Sequence, residues 1–469
     1  MNIVPALKRF VPPPLRPLRR SVSTFSIERF LPGAIIALIL VLTFYAWRFS
    51  YFWLDDFTSL YWTDRLSGWQ ILWFNLSPLS DFFRPFGMLF YWIFWNTFDL
   101  NPLPYHLFAW GLHAANVGLF YILLSRITGS SYAAAVGALL FSFRSNFAEI
   151  YWTFGTIYEL LACFLMLTAL LVHARETRSF SGSVTIVVLY FFAMKSKEMA
   201  ITLPAMLLLY DMTLRKNEFS RRSLMLYSAL ALLGVTFAYL KVSTMGSPLP
   251  THPYYMDFSV LTLGRGYGWY FDHLYGFRLR WGAWMITSVI LCALFIYRRA
   301  MGALFFLGYI FGTLLPVVFL VNHRFEFYWY IPFFGIAGLA AVFAGRVERA
   351  LHWMSPRAAA AIALVLFAIL GAASYSREKR VVSAGMEYQH SLADEYGAFV
   401  HSLRALPPPA AGETIYYGSF PRHFDQLTLL CATQVALRRM DIQVEVVDTF
   451  PNPCRYCLRF QNGSLTINQ

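Results

Sequence analysis

Asp55 and Asp56 stand side by side in the run YFWLDDFTSL, shortly after an apolar stretch that ends at Trp47. Two carboxylates at a dry, aromatic-lined interface can act as a general base or hold a metal, because a low dielectric raises a carboxyl's pKa toward neutrality. Adjacent helical residues point about 100° apart, so at most one of the two aims at a reacting atom. Two neighbouring acids offer too few ligands to assign a metal; no cofactor is firmly implied, and a divalent cation stays open. The second chemistry-bearing cluster is Lys195-Ser196-Lys197-Glu198, which joins the short apolar stretches 183–194 and 199–212. Two short helices meeting at a charged turn place that turn at membrane depth, facing a water-filled cavity. Lysine there suits an anionic headgroup, and internal pairing of Lys197 with Glu198, or of Lys195 with Glu159, is the competing reading.

Further charges gather near the same level. Asp81 and Arg84 precede the run PFGMLFYWIFWNTF, and Arg144, Glu149 and Glu159 lie in FRSNFAEIYWTFGTIYEL. His323, Arg324 and Glu326 open NHRFEFYWYIPFFG, while Arg265, Asp272, His273, Arg278 and Arg280 occupy a long loop between. Charges at helix ends inside a membrane are costly and seldom idle, although snorkelling to the headgroups would also account for Arg144. His106 and His113 are seven residues apart and share a helix face with no third ligand in register, which favours helix packing over a metal site.

The elements that must carry these residues are membrane helices. Of 469 residues, 58% are hydrophobic, 19% aromatic and only 13% charged, too few charges to cover a soluble globule of this size. The net charge of +13 fits basic residues that set orientation beside spans, and not a nucleic-acid footprint. Apolar stretches at 31–47, 104–125, 131–148, 155–173, 183–194, 199–212, 223–245, 282–297, 301–321, 328–345 and 358–374 give about eleven spans. Counting from a basic cytoplasmic amino terminus puts Arg126, Arg175, Arg215, Arg298, Arg299, Arg346 and Arg349 in inner loops, as the positive-inside rule requires. Crossing by Pro85–Phe98 would reverse that assignment, so this short segment is expected in the outer interface, where Tyr91, Trp92 and Trp95 favour it.

The expected fold class is an all-α polytopic membrane protein with interfacial helices on its outer face and a small carboxyl-terminal α/β domain. Its parts are a cytoplasmic segment 1–30, a transmembrane catalytic domain 31–374 with a first outer loop at 48–103, and a non-cytoplasmic domain 375–469. In the last, a helix near 381–406, a strand at Thr414–Tyr417, a helix near Phe424–Arg439 and a strand at Ile442–Val447 follow in order. Cys454 and Cys457 form a C-x-x-C on the side expected to be oxidising, which favours a local disulfide over zinc. Asn75-Leu76-Ser77 and Asn462-Gly463-Ser464 match glycosylation acceptors, the second reading better as a hairpin turn. The chain has no Walker loop, dinucleotide glycine fingerprint, HExxH or GxSxG, so nucleotide-driven or serine or zinc hydrolytic chemistry has no support.

The Asp55-Asp56 loop, RPFG at 84–87 and NPLPYHLFAWGLHAANV at 101–117 together resemble the membrane-embedded GT-C glycosyltransferases. Within that class the chain is similar to protein O-mannosyltransferases of the transmembrane-and-tetratricopeptide type and to their bacterial relatives. SKEMAITLP at 196–204 resembles their S-K-E-x-x-I-T-L-P run, FRSNFAE at 143–149 stands in place of F-x-H-P-x-H-T-E-A, and YWYIPFFG at 328–335 resembles Y-L-Y-L-P-S-x-G. The likeness covers roughly residues 30–350 and lacks the repeats. Arg144 stands where the first His of the second motif would be, and Phe327 replaces an Arg for which Arg324 can substitute.

The resemblance implies an inverting transfer, on the outer face of a bacterial inner membrane, of a hexose from a polyprenyl-phosphate carrier to an acceptor hydroxyl. Mannose is the sugar of the resembled enzymes, and the acceptor, whether protein, lipid or glycan, is left open. Asp55 or Asp56 would take the acceptor's proton, while Arg84, Lys195, Lys197 and Arg324 would meet the departing phosphate. Asp81, His106, Arg144, Glu149, Glu159, Glu198 and Glu326 would bind or support. The alternatives are a transporter or flippase of a lipid-linked anion, which predicts paired broken helices in both halves, and a non-catalytic membrane assembly protein.

Overall fold

The structure is a computed structural model that describes residues 27–48, 50–80, 84–175, 179–215, 221–245, 249–276, 281–350, 356–461 and 463–467. The first element is α1 (Ile27–Trp47), followed by α2 (Leu54–Asp64), α3 (Gly68–Leu76) and α4 (Pro85–Phe98). Next come α5 (Pro102–Thr128), α6 (Ser131–Ser142), α7 (Ile157–His173), α8 (Phe180–Ser196), α9 (Leu203–Tyr210) and α10 (Arg221–Met245). The bundle closes with α11 (Val260–Tyr275), α12 (Trp281–Tyr297), α13 (Met301–Val318), α14 (Phe333–Ala350) and α15 (Pro356–Arg404). After these lie β1 (Thr414–Ser419), α16 (Gln426–Leu437), β2 (Gln443–Val446), β3 (Cys457–Gln461) and β4 (Ser464–Ile467). The chain is thus mostly helical with one small sheet.

Local chemistry sets the ends of these helices. The Asn101 side chain accepts from the Leu103 amide and prolines fill the first turn of α5, which then stops at Gly129 in the left-handed region (φ +68°). α8 ends where Lys197 turns extended, and a 3-10 turn, Glu198–Thr202, intervenes before Pro204 in the first turn of α9. Four helices among the described residues, Pro102–Thr128, Phe154–His173, Arg221–Ser243 and Met301–Val318, are long and apolar enough to cross a membrane. Leu224, Leu232, Val235 and Tyr239 on α10 and Ile286, Val289 and Ile290 on α12 are exposed apolar residues. Surfaces of that kind are suited to lipid, and the chain is an integral membrane protein.

The other stretches expected to cross are not among those four, several of them forming shorter apolar helices, and two have bounds other than expected. α6 gives way at Phe143 and Arg144, both extended, to a 3-10 segment Ser145–Tyr151. The stretch at 358–374 is the first part of α15, a single 49-residue helix that runs unbroken into polar sequence. α4 packs inward: Tyr91 and Trp95 are fully buried, donating to Asp56 Oδ1 and Asp64 Oδ1, each at 2.6 Å. A Cβ on Gly87 would lie 2.0 Å from the Tyr158 ring, so only glycine lets α4 approach α7 this closely. Asn75, one of the two acceptor matches, is buried and donates to the carbonyls of Ile71 and Pro85.

The carboxyl-terminal segment builds a sheet in the order β2-β1-β3-β4, with β1 parallel to β2 and β3, and β3 antiparallel to β4. α16 makes the crossover from β1 to β2 that parallel strands require. The expected strand, helix, strand succession is present, and the β3–β4 hairpin turns at Gly463 (φ +75°). Cys454 and Cys457 are joined as a disulfide. This unit sits against α2: the Phe57 and Phe424 rings lie 5.9 Å apart, those of Trp53 and Tyr396 5.8 Å apart.

Candidate active site

One end of the bundle, the end covered by α16, brings most of the expected residues into a single region. α2 begins with Asp55 and Asp56 in its first turn, where the helix N-terminus favours acids. The two differ completely in surroundings. Asp56 is fully buried; it accepts from the Trp53 amide at 2.7 Å and from Tyr91 Oη at 2.6 Å, with longer contacts to the Phe154 amide and Thr153 Oγ1 at 3.4 and 3.5 Å. Burial pushes its carboxyl up to about 7 against the pull of those donors. Asp55 is exposed to solvent. Surrounding protein still raises its carboxyl above the ordinary range, while the Arg84 guanidinium pulls it back and Asp425, at the start of α16, pushes it further up.

Arg84 caps α4 in a left-handed conformation (φ 48°) and meets Glu198 through a two-pronged pair, its Nε at 3.1 Å and its second terminal nitrogen at 2.9 Å from Oε2. Its guanidinium also lies 5.4 Å from the centre of the Tyr158 ring. Lys197 and Glu159 form a buried ion pair, and the Lys197 ammonium stands 4.8 Å from the centre of the Tyr328 ring. Glu149 is pushed up to about 7 by burial and then by the charges of Glu159, Glu326 and Asp55. Asn146 Nδ2 donates to Glu326 Oε2 at 3.1 Å, which fixes the Glu326 carboxylate.

From this charged rim a cavity of about 520 Å³ runs down between α9, α10 and α13. Its mouth carries Arg84, Lys197, Glu198, Lys241, Tyr254 and Tyr328, and its walls are apolar, with Phe237 and Val242 from α10 and Leu315 and Val317 from α13. A cationic mouth above an apolar trough fits a ligand with an anionic head and a long hydrocarbon tail. Lys241 and Tyr254 were not singled out in the sequence; a lone lysine near the end of an apolar helix was the available signal.

Other expected residues lie elsewhere. Lys195 Nζ donates to the Ser80 carbonyl, away from the cavity lining. Arg324 Nε donates to Leu320 O, and Arg324 itself does not line the cavity. Arg144 pairs with Glu378 of α15 at 2.8 Å. His106 is a packing residue bonded to Ser50 O at 2.7 Å, and His113 bridges Tyr330 Oη and Ser142 O. Asp81 lies outside the described residues. Among the described residues no group of three or more His, Cys, Asp or Glu stands where it could hold a metal.

Fold and site together define an integral membrane protein with an apolar cavity, a rim of buried charges at its mouth and an α/β unit over that rim. No protein-family model matches the sequence, and no curated protein matches it. Among the solved structures similar to the chain are two of ArnT from Cupriavidus metallidurans, one bound to undecaprenyl phosphate and one in the apo state. The bound form gives a TM-score of 0.46 at 15% identity, the apo form 0.48 at 13%, each over 88% of this chain and 85% of the other. A likeness of that size does not decide the chemistry, which rests on the residues of this chain.

Proposed function

We propose that this protein is a GT-C-type glycosyltransferase that moves a sugar from a polyprenyl-phosphate carrier to an acceptor hydroxyl on the outer membrane face. The observation that carries the reading is the apolar cavity with Arg84, Lys197 and Lys241 at its mouth and Asp55 within electrostatic reach of Arg84. The isoprenoid tail would lie along Phe237, Val242 and Leu315, and the phosphate would meet the three cations. Asp55 is the base in this reading, because Asp56 is enclosed and its oxygens already accept from Trp53 and Tyr91. As the acceptor oxygen bonds to the anomeric carbon, its proton passes to the Asp55 carboxylate. The bond from that carbon to the carrier phosphate breaks, and its electron pair leaves with the phosphate, whose charge the cations stabilise. A hexose, mannose in the first instance, is the sugar to test.

The experiment is incubation of the purified protein in lipid discs with a radiolabelled polyprenyl-phosphate mannose and a panel of hydroxyl acceptors, following release of free polyprenyl phosphate. Release that disappears with Asp55→Asn is the expected result. Binding without release from any of several sugar carriers would instead favour a transporter.

A further inference from the structure

We propose that the opposite end of the bundle holds a second anion site, a pocket for the phosphate headgroup of an anionic membrane lipid. A cavity of about 260 Å³ opens between the end of α5, the start of α13 and the end of α14. It lies at Met301 and Gly302, whereas the cavity of the candidate active site lies at Gly312 to Leu320, so one helix, α13, separates the two. The 18 residues of α13 span about 27 Å, close to the thickness of a bilayer's hydrocarbon core.

The polar lining of the pocket is cationic: Arg299, Arg346 and Arg349, with Thr128 beside them. Arg346 and Arg349 are three residues apart on α14 and share a face. Arg299 holds a left-handed conformation (φ 51°), unfavourable for a residue with a side chain, at the corner between α12 and α13. Glu348, the acid on the same turn of α14, bonds Ser130 Oγ and does not line the pocket. The forked guanidinium matches phosphate oxygens two at a time, and the C-terminal ends of α5 and α14 already favour cations at this place.

The remaining lining, Ile127, Ala300, Met301 and Val342, is apolar. Beside it Phe343, Ile296 and Tyr297 are exposed, at 69%, 57% and 79%. A soluble phosphate has no use for that strip, whereas the acyl chains of a lipid would cover it. The occupant is therefore a lipid phosphate.

The test uses the full-length protein, purified, exposed to mixed phosphatidylcholine and phosphatidylglycerol micelles, washed and examined by native mass spectrometry. Wild type is expected to retain phosphatidylglycerol over phosphatidylcholine. Arg346→Gln and Arg349→Gln should each lower that retention about tenfold, in line with the loss of one charge-assisted hydrogen-bonding partner. Arg349→Lys should fall between, since charge remains but the fork is lost, and this variant reads out even if a glutamine variant fails to fold. Arg126→Gln, on α5 but outside the pocket lining, should retain phosphatidylglycerol as wild type does. Equal retention in wild type and the pocket variants overturns the proposal, as does a loss in Arg126→Gln as large as theirs. Displacement of the lipid by millimolar inorganic phosphate would assign the pocket to a soluble anion instead and overturn it as well.

Discussion

Arg84–Glu198 at the rim of the cavity and two pairs made by arginines of the carboxyl-terminal segment, Arg404–Asp99 and Arg439–Asp441, have nearly the same lengths and differ in surroundings. Arg84–Glu198 measures 2.9 Å with side chains 11% and 29% exposed, and the Lys197–Glu159 pair is buried on both sides. Arg404–Asp99 and Arg439–Asp441 both measure 2.8 Å, but their side chains are about a third or more exposed. A pair in water contributes little, whereas removing one partner of a buried pair leaves a charge with nothing to offset its lost hydration. The same bond length therefore marks a site in one region and a surface contact in the other. Such a concentration of buried charge beside an apolar trough is difficult to account for by folding alone, because burying ions costs stability that hydrophobic residues would supply.

The sharpest test of that contrast is Asp55→Asn. It should lower transfer from a polyprenyl-phosphate sugar by about 10² to 10⁴, the usual contribution of a general base, with little change in thermal midpoint because Asp55 is exposed. Since a base acts when deprotonated and partial desolvation by the surrounding protein raises this carboxyl, the acid limb of the wild-type pH–rate profile should lie above the ordinary carboxylate range. Full activity in the variant would remove Asp55 from the mechanism. Next in size is Lys197→Met, which strands the buried Glu159. A loss of about 3 kcal/mol in stability is expected, partly recovered by adding Glu159→Gln, and urea titration of the two variants measures both. An exposed pair treated the same way should show no such recovery.

The sequence made part of this arrangement legible. Apolar stretches mark the helices because a bilayer leaves no other way to satisfy backbone groups, and the Lys195–Glu198 turn stands out because charge at that depth is expensive. The pairing was less legible. Lys197 pairs with Glu159 and Glu198 with Arg84, partners 38 and 114 residues away along the chain, and only three-dimensional packing selects them over the neighbouring alternatives. Tyr91 and Trp95 read as interfacial anchors because aromatic type alone does not tell membrane surface from core; their bonds to Asp56 and Asp64 turn them inward. The spacing of Asp55 and Asp56 says only that the two carboxylates point apart, and the amide of Trp53 at the start of the helix selects Asp56 for the enclosed position.

That enclosed role has a pH signature of moderate size. The Asp56 carboxyl titrates at about 7 in the folded protein, because burial outweighs its hydrogen bonds. Its pKa in an unfolded chain is about 3.9. Between those values the folded state binds the extra proton, so the stabilisation is complete below the unfolded value and is lost as pH rises through the folded one. Asp56 should thus contribute a fall in stability that approaches about 1.4 kcal/mol per pH unit. Denaturant titrations between pH 4 and 7, roughly the window those two values set, should show a shallower slope in Asp56→Asn. An unchanged slope would mean that Tyr91 and the Trp53 amide keep Asp56 ionised throughout.

The smallest effect is expected where the two regions meet. Asp99 holds Arg404 of α15 at 2.8 Å and Arg438 at the end of α16 at 3.1 Å, and so ties the α4–α5 corner to the unit that covers the rim. Because Asp99 and both arginines are at least a third exposed, Asp99→Asn should cost no more than about 1 kcal/mol, and salt should erase most of the difference. The apolar seam of Phe57, Phe424, Trp53 and Tyr396 would then keep the cover seated, and transfer should stay within about twofold of wild type. A salt-independent loss of several kcal/mol would instead place Asp99 with the buried rim pairs and erase the distinction drawn between the two regions.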